Sequence, residues 1–381
     1  MAYLRNRAIN WLNVHTGIQA VAQGMGGVFV LVFLLREGVS IPVSLCAMAL
    51  IVSGRFVMRP LVLPVAKRLG LKPVVIGGSL VVGLAYQVLG RVTGANESLV
   101  AYCLVLAVGE TFYHTGYHAY FTRLGDSEHR GHQTSANFAM AALASTLAPL
   151  IGALLLSEAG PRVTFTVVGL VQALSVTPLL ALPNVGIPER ADGALRAALP
   201  GVALFLTDGW VDVTYFFVWR TALYLAVGES LAAYGGAMAL AAVAGAAGGL
   251  LLGRHIDSGG ARRGTFIALG AIAAVVTLRA LSLDSPWLAV SANALGSFAL
   301  ILMGPVQMVP VYNLAAVSPC ALRFHIAAEG GWDVGCATGC LTAAALIAAG
   351  VPLAAVIPLA FVGLAAMALL LRRYYLRLAL W

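Results

Sequence analysis

Residues 253–263 read GRHIDSGGARR and form a short polar segment between two long apolar runs. The segment has a glycine, an aspartate four positions later, a second glycine three positions further on and then a basic pair: Gly253, Asp257, Gly260, Arg262 and Arg263. The first glycine lets two helices pack closely, and the second permits a tight turn. An aspartate and an arginine in such a turn can form an ion pair that closes one end of a helical bundle.

Apolar runs like the two that flank this segment recur along the whole chain. Its 381 residues are 60% hydrophobic and 10% charged, with a mean hydropathy of +0.91, whereas soluble domains carry about 25% charged residues. Each run is about 20 residues long, enough to cross a bilayer core about 30 Å thick as a helix. Transmembrane strands would alternate over about ten residues instead. The sequence therefore predicts an all-α integral membrane protein.

We predict twelve transmembrane helices from these runs. They cover 11–35, 41–65, 72–91, 98–121, 134–157, 162–183, 199–227, 230–253, 264–282, 285–312, 324–348 and 351–371. A polar segment separates six spans from six. Many transporters are built from such halves, with the substrate site between them. We therefore expect two pseudo-symmetric halves, 1–183 and 199–381, joined by a cytoplasmic linker, 184–198.

The basic residues predict the orientation. Short loops rich in Lys and Arg stay in the cytoplasm, and most of the 23 Lys and Arg residues fall on the side of the N-terminus. Both termini are therefore predicted to be cytoplasmic. The first run is long and lacks a small-residue cleavage site, so we interpret it as a retained span. The net charge of +8 reflects this bias, and the loops are too short to bind nucleic acid.

The pattern at 253–263 is similar to the loop signature of the major facilitator superfamily. The equivalent loop of the first half, 63–72, departs from that signature, because Lys67 stands where the family has aspartate and Leu63 replaces its first glycine. The resemblance implies a secondary transporter whose central helices, spans 1, 4, 7 and 10, line the substrate cavity. It also implies that Gly253, Asp257, Gly260 and Arg262 belong to the gate.

Span 5 contains a second, weaker resemblance. Residues 147–156 read LAPLIGALLL and are similar to a segment that the family's antiporters carry in this helix, with matches at Pro149 and Gly152. The resemblance implies a gating role for Pro149. The alternative, given equal weight, is a proline kink in a packed helix.

Span 4 contains the stretch GETFYHTGYHAYF at 109–121. Glu110, His114 and His118 follow one another at steps of four and lie on one stripe of the helix, flanked by Tyr113 and Tyr117. Ionisable groups inside a membrane are costly and usually face a cavity or one another. A column of carboxylate and imidazoles can take up and pass a proton, so we predict proton coupling here. The alternative is that the two histidines only bond neighbouring helices.

Span 7 reads LFLTDGWVDVTYFFVWR. Asp208 and Asp212 lie one turn apart on a shared face, beside Trp210 and Tyr215. Two carboxylates this close disfavour joint ionisation, so we predict that the pair exchanges protons or binds a cation. Trp219 and Arg220, at the end of the same run, are interpreted as anchors at the membrane interface.

Other polar residues in the spans are further candidates. Gln19 and Gln23 in span 1 and Asn293 in span 10 are predicted to face the substrate, although polar residues also hold helices together. Glu329 and Asp333 in span 11 are predicted to take part in gating or proton transfer. They share a stripe with His325, Cys336 and Cys340, a mixture of groups that also suits transition metals.

The sequence carries no nucleophile elbow, phosphate-binding glycine loop or zinc-hydrolase pattern, so we expect neither an enzyme nor a cofactor. The leading hypothesis is a monomeric, proton-coupled transporter in a bacterial inner membrane that exports a small organic compound, cationic or amphipathic. One alternative is a transition-metal transporter, whose ligands would come from His15, Glu110, His114, His118, Asp208, Asp212 and His325. Another is an assembly factor on the same fold, with its buried acids paired internally around a dry, apolar centre.

Overall fold

The computed structural model of the protein describes residues 6–126, 128–252 and 261–378. Its main helical segments, in chain order, are α1 (Arg7–Arg36), α2 (Ile41–Leu69), α3 (Leu71–Leu89), α4 (Glu97–Leu124), α5 (Arg130–Glu158), α6 (Gly160–Leu180), α7 (Leu199–Ala226), α8 (Leu231–Leu252), α9 (Ala261–Ala280), α10 (Pro286–Val317), α11 (Ala321–Ala348) and α12 (Leu353–Leu376). The described residues contain no β-strand.

Ten of these segments are long and apolar enough to cross a bilayer within the described part of the chain. The other two are α4, which has 28 residues and carries the polar stretch of span 4, and α9, whose apolar part is the shorter Gly264–Ala280. The all-α membrane class is therefore confirmed. The total of twelve spans, the two halves and the position of the termini stay predictions.

Local sequence explains where several helices begin and end. Asn6 and Asn96 cap α1 and α4, since their side-chain oxygens accept hydrogen bonds from the backbone of Ile9 and Ser98 at 3.1 and 3.0 Å; such caps satisfy amide groups that have no partner in the first turn. Between α2 and α3 the chain reverses at Gly70, whose φ of +84° is strained for residues with a Cβ.

The helices α1–α6 meet α7–α12 along a few lines of contact. α2 packs along α11, and α5 packs along α8. At the end of the bundle that holds residues 184–198, called the linker side here, α4 also contacts α10 and α11. The linker itself is bound there, because Arg323 Nη2 donates to the Glu189 carbonyl at 2.5 Å.

The middle of α7 departs from α-helical geometry directly after Asp212. Val213–Val218 forms a π-helical turn, a feature that is frequent at functional sites. Arg279 of α9 supports this turn, since its Nη1 donates to the Tyr215 carbonyl at 2.8 Å and its guanidinium lies 4.0 Å from the Tyr215 ring centre. Because of this turn, the Arg220 side chain points in a different direction from the one it would have on an unbroken α-helix.

Close packing of α7 on α11 depends on glycines. A Cβ at Gly331 or Gly335 of α11 would overlap the carbonyl oxygens of Val202 and Leu206, and one at Gly209 of α7 would overlap the Trp332 carbonyl. The backbones of the two helices therefore touch directly, which is how helices pack tightly in membranes.

Gly335→Ala is expected to destabilise the protein by about 1–3 kcal/mol, the usual cost of overpacking a core. The added methyl must push α7 away, because backbone atoms cannot rotate aside as a side chain can. Thermal unfolding of the purified variant measures the effect. The matched control is Gly270→Ala on α9, where a Cβ meets nothing within 4 Å; equal melting temperatures for both variants would contradict the prediction.

Candidate functional site

A cavity of about 400 Å³ lies among α1, α2, α4, α7 and α11. Its walls carry an unusual number of ionisable groups for the interior of a membrane protein. These are Arg55, Glu110, His114, His118, Asp208, Asp212, Arg220 and Glu329. The groups predicted for proton coupling on spans 4 and 7 therefore face a single cavity.

A second cavity of about 510 Å³ lies on the other side of α7, among α5, α8 and α10. Its lining is mainly aliphatic, with several methionines. It shares six residues with the first cavity: Gln23, Asp208, Asp212, Phe216, Arg220 and Met308. The two aspartates and Arg220 thus stand where a polar and an apolar cavity meet.

Five charged side chains form a network between α2, α4 and α11. Arg55 contacts Glu110, Glu329 and Asp333 at N–O distances of 2.9, 3.5 and 3.1 Å. Arg59 contacts Glu329 at 3.4 Å and also donates to Asp333. Because α2 belongs to the first six helices and α11 to the last six, the network ties the two groups of helices together at their centre.

Sequence reasoning missed the two arginines. The structure puts Arg55 midway along α2, and 4% of Arg55 and 2% of Arg59 are exposed. A usable signal was present, because two arginines four residues apart in one apolar run match two acids four residues apart, Glu329 and Asp333, in another. Each pair lies on one face of its helix.

His118 extends this network toward the linker side. Its Nε2 lies 3.3 Å from Glu329 Oε1, and its Nδ1 lies 2.8 Å from the Tyr312 hydroxyl. The His118 ring stacks on that of His325 at 5.6 Å, and His325 Nε2 lies 3.0 Å from the Thr122 hydroxyl. These rings form an aromatic layer that begins at the cavity wall with His118.

Asp208 and Asp212 differ from the acids of the network. Asp212 Oδ2 accepts a hydrogen bond from Trp332 Nε1 at 3.0 Å, but neither aspartate has an ion pair within 4.0 Å in the part of the chain described. The Trp332 ring lies against Arg55, whose Cζ is 4.8 Å from the ring centre. Trp332 therefore connects the aspartates with the charge network.

Two of the residues predicted to face substrate, Gln23 and Tyr215, line the cavities. Trp219, predicted to be an interfacial anchor, is instead 1% exposed and donates to Asn293 Oδ1 at 3.0 Å. Arg220, its predicted companion, faces both cavities. The aromatic ring of Trp219 and the charge of Arg220 do not by themselves show whether these residues face the lipid or the protein interior.

The remaining predicted substrate residues lie outside the linings of these two cavities and bond to neighbouring helices. The Tyr113 hydroxyl donates to Gln19 and lies 3.0 Å from Nε2 of the buried His15. The Tyr117 hydroxyl accepts from Asn137 at 3.0 Å. Trp210 donates to the Leu359 carbonyl at 2.8 Å, and Asn293 donates to the Ala237 carbonyl at 3.1 Å. These contacts fit the alternative role of polar residues that hold helices together.

The predicted gating residues are spread over several places. Gly253, Asp257 and Gly260 lie outside the described residues, as does the side chain of Arg262. Glu329 and Asp333 belong to the charge network. Pro149 lines the second cavity, just after α5 is interrupted at residues 145–147.

The metal-transport alternative gains no support from the described side chains. Among residues 6–126, 128–252 and 261–378, no group of three or more His, Cys, Asp and Glu side chains converges in a way that could hold a metal ion. His15, named among the candidate ligands, bonds instead with the Ser175 carbonyl at 2.6 Å.

Solved structures with this fold include several transporters. The human organic anion transporter MFSD10 (TETRAN) is 16% identical, with a TM-score of 0.71 over 96% of this chain and 99% of that one. A variant of the E. coli fucose:proton symporter FucP is 15% identical, with a TM-score of 0.65 over 97% and 99%. FucP in the outward conformation is 13% identical, with a TM-score of 0.67 over 98% and 99%.

Identities this low show the fold alone. A search of curated proteins found no match. The sequence itself, however, matches the Major Facilitator Superfamily over residues 12–320. Because that match covers most of the chain, the protein belongs to the Major Facilitator Superfamily of membrane transporters.

Proposed function

We propose that this protein is a proton-coupled secondary transporter that exports a small organic compound, cationic or amphipathic, by alternating access across a bacterial inner membrane. The observation that carries the proposal is the position of Asp208 and Asp212. Both line a cavity between the first six and the last six helices, and neither has an ion pair in the described region.

Two carboxylates one turn apart repel each other when both are ionised. Either a proton or the positive group of a substrate relieves that repulsion, so the two compete for the same site. A site that exchanges one for the other is what an antiporter requires. The substrate leaves when protons enter from the outside, and the cycle repeats.

The charge network offers a route by which proton binding changes the packing of helices. Glu110 shares Arg55 with Glu329 and Asp333, so neutralising Glu110 shifts Arg55 toward the two acids of α11. Trp332 lies against Arg55 and donates to Asp212. We infer that this contact transmits the state of Glu110 to the aspartates.

The same features weigh against an assembly factor. That hypothesis predicts buried acids that pair internally around a dry, apolar centre. Three of the acids do pair with arginines, but the lining of the cavity beside them includes further charged groups, among them Asp208 and Asp212. The lining therefore favours a transported ligand.

Organic cations are expected to raise the unfolding temperature of the purified protein more at pH 8 than at pH 6, because protons compete with them at Asp208 and Asp212. A ligand at a hundred times its dissociation constant adds about 2.7 kcal/mol to stability, which a thermal scan detects. Asp212→Asn should remove this stabilisation. Asp284→Asn, in an exposed loop between α9 and α10, is the matched control.

Two outcomes would count against the proposal. Stabilisation that is independent of pH and survives in Asp212→Asn would place the cation elsewhere. Stabilisation by a divalent metal alone, lost in His114→Ala, would favour the metal-transport hypothesis instead.

A further inference from the structure

Arg220 lines both cavities, yet it forms no ion pair with a carboxylate in the described part of the protein. Its guanidinium lies 5.3 Å from the Phe216 ring centre, and its buried Nε has no hydrogen-bond partner. No carboxylate of the described residues lies within 4.0 Å of it. Placing a cation in a membrane interior costs several kcal/mol unless a partner compensates.

The other arginines in the interior do have partners. Arg55 and Arg59 contact three carboxylates. Arg130 donates to the Tyr312 carbonyl at 2.7 Å, and Arg279 donates to the Tyr215 carbonyl at 2.8 Å. Among the interior arginines of the described helices, Arg220 therefore differs from the others. An anion that pairs with it would have to be a ligand that enters the cavity.

Asp212, Phe216 and Arg220 follow one another at steps of four along α7, and all three line both cavities. On an ideal α-helix the eight residues from Asp212 to Arg220 would span about 12 Å, and the π-helical turn at Val213–Val218 makes the span shorter than that. The wall of the cavity therefore presents a negative group, an apolar ring and a positive group in that order. The apolar second cavity opens beside the ring.

We propose that Arg220 is an anion-binding subsite and that the transported compound is an amphipathic zwitterion. Its basic nitrogen binds Asp208 and Asp212, its carboxylate or similar acidic group binds Arg220, and its apolar middle lies over Phe216. A guanidinium suits this task because it donates two parallel hydrogen bonds to a carboxylate. The basic end of this assignment rests on the proposed function; the acidic end rests on Arg220 alone.

Size is consistent with such a ligand. Cavities that bind small molecules measure about 300–1,000 Å³, and the two that meet at α7 measure about 400 and 510 Å³. An extended molecule with its charges about 10 Å apart reaches from the aspartates to the arginine.

Three probes with the same alkyl chain test the subsite: octylamine, octanoate and 8-aminooctanoate. Their binding is measured by calorimetry on the full chain in nanodiscs, with protein-free nanodiscs subtracted. We expect 8-aminooctanoate to bind the wild-type protein at least tenfold more tightly than octylamine. Arg220→Gln should abolish that difference while octylamine still binds, and Arg220→Lys should retain part of it.

The unliganded variants provide a second readout. Because Arg220→Gln removes a charge that no described carboxylate pairs with, its melting temperature should equal or exceed that of the wild type. Arg162→Gln, which replaces an exposed arginine at the start of α6, is the matched control and should change neither binding nor stability.

The outcomes separate the subsite from the proposed function. Equal binding of octylamine and 8-aminooctanoate, unchanged in Arg220→Gln, would overturn the subsite and leave the cation site standing. Equal binding of octanoate and 8-aminooctanoate, lost in Arg220→Gln while octylamine does not bind, would overturn the proposed cation site and keep the subsite. Failure of all three probes to bind the wild type would overturn the zwitterion assignment.

Discussion

Asp333→Asn is expected to lower the free energy of unfolding by about 3–5 kcal/mol, the cost of removing one partner from a buried ion pair. The Asp333 side chain is 0% exposed and contacts both Arg55 and Arg59. Without its charge, the remaining partners of Arg59 among the described residues are Glu329 at 3.4 Å and the Thr115 hydroxyl at 2.7 Å. The measurement is thermal or chemical unfolding of the full chain in detergent.

Asp284→Asn is again the control, because it makes the same chemical change at an exposed position, where substitutions usually alter stability by less than about 0.5 kcal/mol. A double variant tests the mechanism. Arg59→Met combined with Asp333→Leu removes one charge of each sign, and replacing a whole buried pair by apolar residues is often neutral. If the double variant is no more stable than Asp333→Asn, the ion pair is not the cause.

Glu110→Gln is expected to abolish transport against a gradient while leaving exchange of substrate across the membrane largely intact. Glutamine keeps the shape of the side chain and can still accept the hydrogen bond from Arg55, which measures 2.9 Å in the wild-type protein. It cannot, however, release or bind a proton at physiological pH. Coupling is expected to be lost for that reason, whereas the proposed substrate site on α7 is unchanged.

Proteoliposomes with an imposed pH difference measure this effect, using a ligand found in the thermal scan as substrate. Accumulation in the Glu110→Gln variant should fall to the equilibrium level. Glu97→Gln, at the exposed beginning of the same helix, should transport normally. Preserved uphill transport in Glu110→Gln would show that another group carries the coupling.

Exposure distinguishes the roles of the three acids in the network. The side chain of Glu110 is 20% exposed, at the cavity wall, whereas those of Glu329 and Asp333 are 4% and 0% exposed. Protons reach a group in a water-accessible cavity far more readily than one enclosed by arginines. Within the network we therefore propose that Glu110 exchanges protons, in addition to Asp208 and Asp212 on α7, and that Glu329 and Asp333 hold α11 against α2, as part of the gating role predicted for them.

Much of the site was predictable because a helix has a fixed period. Residues four apart share a face, so Glu110, His114 and His118 could be placed together on α4, and Asp208 and Asp212 on α7. The costs of burying charge indicated that both faces line a cavity. The helical period does not reveal which other helix packs against a given face. For that reason the partners Arg55 and Arg59 were not predicted.

The same limit explains why several residues do not lie where the sequence analysis predicts them. Gln19, Tyr113 and Asn293 have the polarity of substrate ligands, but their partners on other helices take up their hydrogen bonds. The position of Arg220 near the end of a predicted span indicates an interfacial anchor, but the side chain faces both cavities. The π-helical turn at Val213–Val218 changes the directions in which the following side chains of α7 point. No local sequence pattern predicts that turn.

The amino-acid sequence is enough to predict an all-α membrane protein and to locate its helices to within a few residues of their observed ends. The reason is local, because a chain in a bilayer must satisfy its backbone hydrogen bonds within each span, and apolar length alone then defines a helix. Which charged side chains form ion pairs depends on the tertiary structure. Ion pairs such as those of Arg55 with Glu329 and Asp333 join residues that lie 274 and 278 positions apart, and their formation depends on how whole helices pack.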